Sequence, residues 1–187
     1  MSREIFSLMV VLAGMAMAGC GNDGRGTNDR ALPEYRAGER GVLRVRTDSA
    51  RGRLWVLGVD DVRVYDSASK RLVRRIVLQN WDMARFICEP DMLLDPSGSA
   101  IISSNMRAKL WRIDADSLKV EEREIRLRER EQWDVGFGAL MLAADGKLLA
   151  LSSTGGWLWK VDPDAGTAHL WNRGVPMLNV CDLMHIE

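Results

Sequence analysis

The sequence predicts an all-β fold built from repeated four-stranded units, and three observations carry that prediction. A short pattern recurs: V-R-V-Y-D-S-A-S-K from Val62 to Lys70, K-L-W-R-I-D-A-D-S-L-K from Lys109 to Lys119, and L-W-K-V-D-P-D-A-G-T from Leu158 to Thr167. Within it, Asp66, Asp114 and Asp162 are 48 residues apart at both steps, and each opens a turn of small residues. From Gly41 onward the apolar runs have strand length and are separated by turn residues. One run in each unit (Leu54 to Leu57, Ala100 to Ile102, Leu148 to Leu151) is continuously apolar rather than alternating, as a strand covered on both faces must be.

The N-terminal residues stand apart from this pattern. Arg3 precedes an apolar run, Ile5 to Ala18, interrupted only by Ser7 and Gly14. The run is short for a membrane span and ends in small residues, as a secretory signal does. Its end, M-A-G-C from Met17 to Cys20, resembles the lipobox of bacterial lipoproteins, although Met17 stands where Leu is usual. The resemblance implies cleavage before Cys20 and lipidation of Cys20; an ordinary cleaved signal with an incidental cysteine is the alternative. Residues 1–19 are thus expected to be a signal peptide. Residues 20–40, rich in Gly, Asn, Asp and Arg, read as the lipidated cysteine and a flexible tether. Residues 41–187 form the repeat domain.

Unit one is read as Val42 to Thr47, Leu54 to Leu57, Val62 to Tyr65 and Leu72 to Leu78. Unit two begins near Ile87 and runs through Met92 to Leu94, the turn Asp95 to Gly98, Ala100 to Ile102, the strand in Lys109 to Lys119, and Val120 to Leu127. Unit three follows with Leu140 to Leu142, the turn Ala144 to Gly146, Leu148 to Leu151, Trp157 to Val161 and Thr167 to Trp171. Four short strands in such a unit match the size of one propeller blade. Glu121 to Arg128 is mostly charged, which suits an exposed outer strand. Residues 121–132 also have a helix-favouring composition, but the repeat register favours a strand followed by a longer loop. Pro176 to Glu187 reads as the innermost strand of a fourth unit.

With A-I-I-S-S-N (Ala100 to Asn105) running into L-W-R-I-D-A-D-S, and with the turns D-P-S-G and A-D-G, the repeat resembles the YVTN or quinoprotein-like β-propeller families over roughly Leu54 to Trp171. The resemblance implies a β-propeller-like array of about three four-stranded blades plus one C-terminal strand. Such a ring is incomplete, or is completed by a second chain, or stays an open stack. It implies no catalytic residues, because the matching positions are structural and propellers host many activities.

Composition narrows the partners. Formal net charge is zero, so no basic excess points to nucleic acid. Cys88 and Cys181 occupy matching places, Ile87-Cys88-Glu89 against Val180-Cys181-Asp182. Outside the cytoplasm they could pair within one chain or between two; otherwise they are small buried apolar residues. Trp81-Asp82 and Trp133-Asp134 form a second matched pair. Exposed, they offer a binding surface; buried, each Trp wedges between blades and each Asp caps a turn. Trp111, Trp157 and Trp159 are expected on third strands as packing residues. Asp162, Asp164 and Gly166 begin like a calcium loop but lack its later ligands, and a hairpin turn explains them. Gly136-Phe137-Gly138 lacks the strand-to-helix context of a dinucleotide site. His169 and His185 have no ligand-like spacing. No metal site and no cofactor are expected.

The function expected is a lipid-anchored protein of the bacterial cell envelope, facing the periplasm and acting by binding. Its partners would be the membrane, through the lipid, and an envelope protein or a second copy. The rival is a propeller-type enzyme, lactonase or quinoprotein-like. That rival would need Glu89, Asp91, Asp134, Asp182 and His185 to converge at one mouth. A third alternative is a non-functional fragment of such an enzyme.

Overall fold

Tight turns rich in Asp, Ser and Gly fold each run of short apolar strands back on itself, giving antiparallel meanders. The computed structural model describes residues 41–85, 87–128, 135–154, 156–171, 181 and 183, and among them all regular structure is β. Blade 1 is β1 (Val42–Asp48), β2 (Arg53–Gly58), β3 (Val62–Asp66) and β4 (Leu72–Ile76), paired in chain order. Blade 2 is β5 (Met92–Leu94), β6 (Ala100–Ser103), β7 (Lys109–Ile113) and β8 (Val120–Glu124), again in order. Blade 3 contains β10 (Phe137–Leu142), β11 (Leu148–Ser152), β12 (Leu158–Asp162) and β13 (Thr167–Leu170). A fifth strand, β9 (Arg126–Leu127), lies beside β13 in parallel.

That fifth strand corrects the expected run from Val120 to Leu127. The run is two strands in two sheets, broken at Ile125. The Ile125 side chain is buried against blade 3, and its N–H donates to the Ala108 carbonyl at 2.7 Å. Burying Ile125 pulls the following residues off blade 2, and Arg126 and Arg128 then donate to the Gly166 and Ala168 carbonyls. Other boundaries shift by one to three residues: β4 ends at Ile76, β10 begins at Phe137 rather than Leu140, β13 ends at Leu170, and β12 begins at Leu158, so Trp157 precedes the strand. The expected strand from Pro176 to Glu187 lies outside the described residues except at Cys181 and Leu183.

The periodic Asp residues act as turn caps. Asp66 Oδ1 accepts from the N–H and hydroxyl of Ser69, both at 2.7 Å. Asp114 Oδ1 does the same with Ser117 at 2.7 and 2.6 Å. Asp162 Oδ1 accepts from the Ala165 N–H at 2.9 Å. Four residues beyond each Asp the backbone is left-handed, at Lys70 (φ 60°), Leu118 (φ 55°) and Gly166 (φ 63°). One turn geometry is therefore built three times, and only the third copy uses the residue that adopts it without strain.

Two apolar seams join the blades. Trp55, Leu57, Val62, Val64 and Ile76 of blade 1 meet Met92, Ala100, Ile102, Trp111 and Ile113 of blade 2. Leu93, Ile101 and Leu110 of blade 2 meet Phe137, Leu140, Leu148, Ala150, Trp159 and Val161 of blade 3. The central strand β6 faces both seams and is buried at every position. Each fully buried aliphatic or aromatic side chain contributes about 1.5–3 kcal/mol, so these seams carry most of the domain's cohesion.

Candidate functional site

The innermost strands β1, β5 and β10 lie side by side, and the charged residues of the site are gathered at this end. Alternation along β1 puts Arg44 and Arg46 on one face, opposite Trp55 and Leu57 and toward blade 2. Across from them stands E-P-D, Glu89 to Asp91. Arg44 Nη1 donates to Glu89 Oε2 at 3.0 Å, and Arg44 Nε donates to Asp91 Oδ1 at 3.1 Å. Arg46 Nη2 adds a bond to the same Asp91 oxygen at 3.2 Å.

Asp91 binds all three blades. Its Oδ1 also accepts from its neighbour's N–H on Met92 at 2.8 Å, and its Oδ2 accepts from the Leu140 N–H of blade 3 at 3.0 Å. Its own N–H donates to Ser103 Oγ at 2.8 Å. A carboxylate with only 9% of its side chain exposed is thus compensated by two guanidinium groups and two amides. With both oxygens so engaged, it is built to hold the inner strands in register. Glu89, by contrast, is 55% exposed and leaves acceptor capacity toward solvent.

Beside this pair, Cys88 and Cys181 are joined, with S–S 2.05 Å, Cα atoms 5.2 Å apart and a sequence separation of 93. Arg44, Ile87, Cys88, Glu89 and Cys181 line an open depression of about 340 Å³. Asn105 fixes the approach to it. Its Nδ2 donates to the Ala84 and Cys88 carbonyls at 2.8 and 3.0 Å, and its Oδ1 accepts from the Ala84 N–H at 3.2 Å. Blade 3 closes in because Gly136 and Gly138 have no side chains. A Cβ on Gly136 would stand 1.9 Å from the Asn105 carbonyl oxygen, and one on Gly138 would stand 2.7 Å from Cys88 Cβ. The G-F-G motif is therefore a close-approach device that flanks the buried Phe137.

Trp81 lies in the seam between blades 1 and 2. It packs edge-on to Trp111 with ring centroids 5.2 Å apart, and its Nε1 donates to the Val59 carbonyl at 2.7 Å. It remains partly exposed, with exposed Asp82 next to it, whose carboxylate accepts from the Met83 N–H. Trp133 and Asp134 lie outside the described residues, as do Cys20, Asp182 and His185. Of the five residues the enzyme reading requires, the structure brings Glu89 and Asp91 together around Arg44. Among the described residues no group of three or more His, Cys, Asp or Glu is placed to hold a metal ion. Asp162 and Asp164 are engaged by Lys147 at 3.1 Å and Arg112 at 3.4 Å, at a hairpin turn. His169 lies on β13, with its ring 6.4 Å from that of Trp171.

The sequence pattern assigns no role to Arg44, places Asn105 only at the end of a repeat motif, and marks Gly136 and Gly138 only as a motif without a dinucleotide context. A signal for Arg44 exists: R-x-R in an innermost strand, with both arginines on one face, calls for acids, and E-P-D opens the next blade. Asn105 carries no comparable signal, because its partners are backbone groups of a loop.

No protein-family model matches the chain, and no curated protein matches it. Solved structures do. A catalytically inactive virginiamycin B lyase from Staphylococcus aureus, solved with quinupristin, is similar with TM-score 0.56 and 16% identity, over 76% of this chain and 45% of the lyase chain. A selenomethionine form of the same lyase gives 0.56 and 11%, over 73% and 43%. The extracellular domain of BT4673 from B. thetaiotaomicron gives 0.53 and 14%, over 79% of this chain and 19% of that one. The chain thus spans less than half the length of these structures. At such identities the likeness speaks for the fold, and with the three sheets it establishes an all-β, β-propeller-like domain.

Proposed function

We propose that this chain is a lipid-anchored protein of the bacterial cell envelope, facing the periplasm, whose propeller-like domain acts by binding. Residues 1–19 are the signal peptide, Cys20 carries the lipid, and residues 20–40 tether the domain. The partner is an envelope protein or a second copy of the chain. The contact surface takes in the depression rimmed by Arg44 and Glu89, together with Trp81, Asp82, Trp133 and Asp134. The observation that carries this reading is the joined Cys88–Cys181 pair. Disulfides persist in oxidising compartments and are rare in the cytoplasm, which agrees with the M-A-G-C end of the apolar run. The open rim supports binding: Glu89 and the edge of Arg44 present one acceptor and one cation to a polar ligand.

Radiolabelled palmitate fed to a bacterial host expressing the full chain tests the anchor. Label in the wild type and none in Cys20→Ser is expected; label in neither variant sinks the anchoring. Thiol titration of the unfolded, unreduced protein tests the compartment. Free Cys88 and Cys181 thiols in protein taken directly from cells would remove the main support.

The likeness to a lyase favours a second reading, an enzyme of propeller type. Incubation of the chain with quinupristin, followed by mass spectrometry, separates the two readings: a mass or fragment change dependent on the protein supports the enzyme.

A further inference from the structure

The outer edge of blade 1 differs from every other described edge. Lys70 and Arg71 lead into β4, whose L-V-R-R-I is followed by Val77. The pairing of β4 with β3 slips between Leu72 and Arg74, so Val73 has no partner across the ladder and is 49% exposed. This bulge keeps Leu72 buried and turns Val73 outward. Val77 is 58% exposed. Of the five exposed large apolar side chains among the described residues, two therefore sit at this edge, interleaved with four cations.

Few of those cations are neutralised. Asp61 pairs with Arg75 and, at 3.2 Å, with Arg63. Lys70 Nζ donates to the Ser67 carbonyl. Arg71 and Arg74 have no carboxylate partner among the described residues. The equivalent edge of blade 2, V-E-E-R-E in β8, carries the opposite sign, and Lys109 binds Glu122 and Glu124 from inside. Charge at an edge strand deters pairing, but a purely protective edge would not expose two valines among its cations.

We propose that the β4 edge of blade 1 (Lys70, Arg71, Val73, Arg74, Arg75 and Val77) docks on the anionic headgroups of the membrane that anchors the chain. The proposal rests on the lipid-anchor reading for its location, and charge complementarity selects the occupant. Arginines and lysine pair with lipid phosphates while the valines reach the headgroup boundary. Anchoring at Cys20 keeps the edge close to the surface, so individually weak contacts suffice. The consequence is orientation: the domain lies on its outer wall instead of hanging free.

The test uses the full chain purified from membranes and reconstituted into phosphatidylcholine vesicles, or into vesicles with about one-third phosphatidylglycerol. Hydrogen exchange is read at residues 70–78. Each basic group near an anionic surface contributes about fivefold to partitioning, so exchange at least about fivefold slower on the anionic vesicles is expected, and high salt should abolish the difference. The double variant Arg71→Glu, Arg74→Glu should lose it while remaining anchored. Equal exchange on both vesicle types overturns the proposal. Protection that instead rises with protein concentration in lipid-free detergent solution means that a second copy covers β4, and also overturns it. If the chain fails to float with phosphatidylcholine vesicles, the anchor reading fails by itself. The comparison then passes to sedimentation of the same chain with added vesicles: binding to the anionic ones alone upholds the proposal, and no binding overturns it.

Discussion

Trp111 and Trp159 stand 48 residues apart at the same point of the repeat, one in each seam, and are about equally buried at 1% and 2% exposure. Their indole nitrogens fare differently. Trp111 Nε1 donates to the Gln79 carbonyl at 3.1 Å, whereas Trp159 Nε1 finds no partner among the described residues. The difference arises from the linker after the fourth strand. In blade 1 this linker crosses over Trp111 and supplies Gln79. In blade 2 the equivalent residue, Leu127, is drawn into β9 and pairs with β13. The repeat thus sets where an aromatic ring is buried, and the path of the next few residues sets whether its polar atom is satisfied.

The seams differ in a second respect. Val64 in the first seam is matched by Arg112 at the same repeat position in the second. Arg112 reaches Asp95 at 2.6 Å and Asp164 at 3.4 Å, and Arg123 Nη1 donates to the Pro163 carbonyl at 2.9 Å. Both seams are apolar inside and carry ion pairs at their rims, Arg51 with Asp116 at 2.8 Å in the first and Arg112 with Asp164 in the second; only the first adds a capped tryptophan pair among the described residues.

Asp91 is common to both seams, so its removal is the largest expected effect. Asp91→Ala leaves the Arg44 Nε–H and the Leu140 N–H without their acceptor and should cost about 3–5 kcal/mol in urea unfolding. A loss under about 1 kcal/mol would show that the blades hold together without it. Next comes the tryptophan pair. Trp111→Phe leaves the Gln79 carbonyl unpaired and should cost about 1 kcal/mol more than Trp159→Phe, where no bond is lost. Equal costs in the same assay would erase the distinction between the seams. Smaller still, Lys70→Gly and Leu118→Gly should each raise stability by about 0.5–1 kcal/mol by relieving left-handed backbone, and Gly166→Ala should lower it. A destabilising Leu118→Gly would mean that its partly buried contact with the first seam outweighs the strain.

The smallest effect is a pH dependence. Bonds from the Ser69 backbone and hydroxyl hold the Asp66 carboxyl below its ordinary value, those from the Ser117 hydroxyl and backbone do the same for Asp114, and the Ala165 amide followed by Lys147 does so for Asp162. A carboxyl whose folded pKa is depressed stabilises the fold above its unfolded value, near 3.9, and loses that contribution as pH falls through the folded value. Stability should therefore be flat near neutrality and decline below about pH 4. Asp114→Asn should make the decline shallower, as read from denaturant midpoints across that range.

Much of this architecture was legible from local pattern. Strand alternation, the continuous apolar runs of Leu54 to Leu57, Ala100 to Ile102 and Leu148 to Leu151, and the periodic Asp turns depend on neighbours within a few residues. Period and turn chemistry therefore reveal them. The split at Ile125 was hidden because Glu121 to Arg128 reads as a single charged strand. Only a second sheet with an open edge at β13 makes transfer of Arg126 and Leu127 favourable.

The sequence by itself determined the three blades, their strand order and the turn at each repeated Asp, because these follow from short-range sterics and the burial of apolar faces. Tertiary structure alone decided that Asp91 ties three blades, that Asn105 and Gly136 meet, that Cys88 lies beside Cys181, and that one of two equivalent tryptophans keeps a hydrogen bond. Those outcomes depend on groups distant in the chain arriving within a few ångströms, and side-chain chemistry at one position carries no record of what will pack against it.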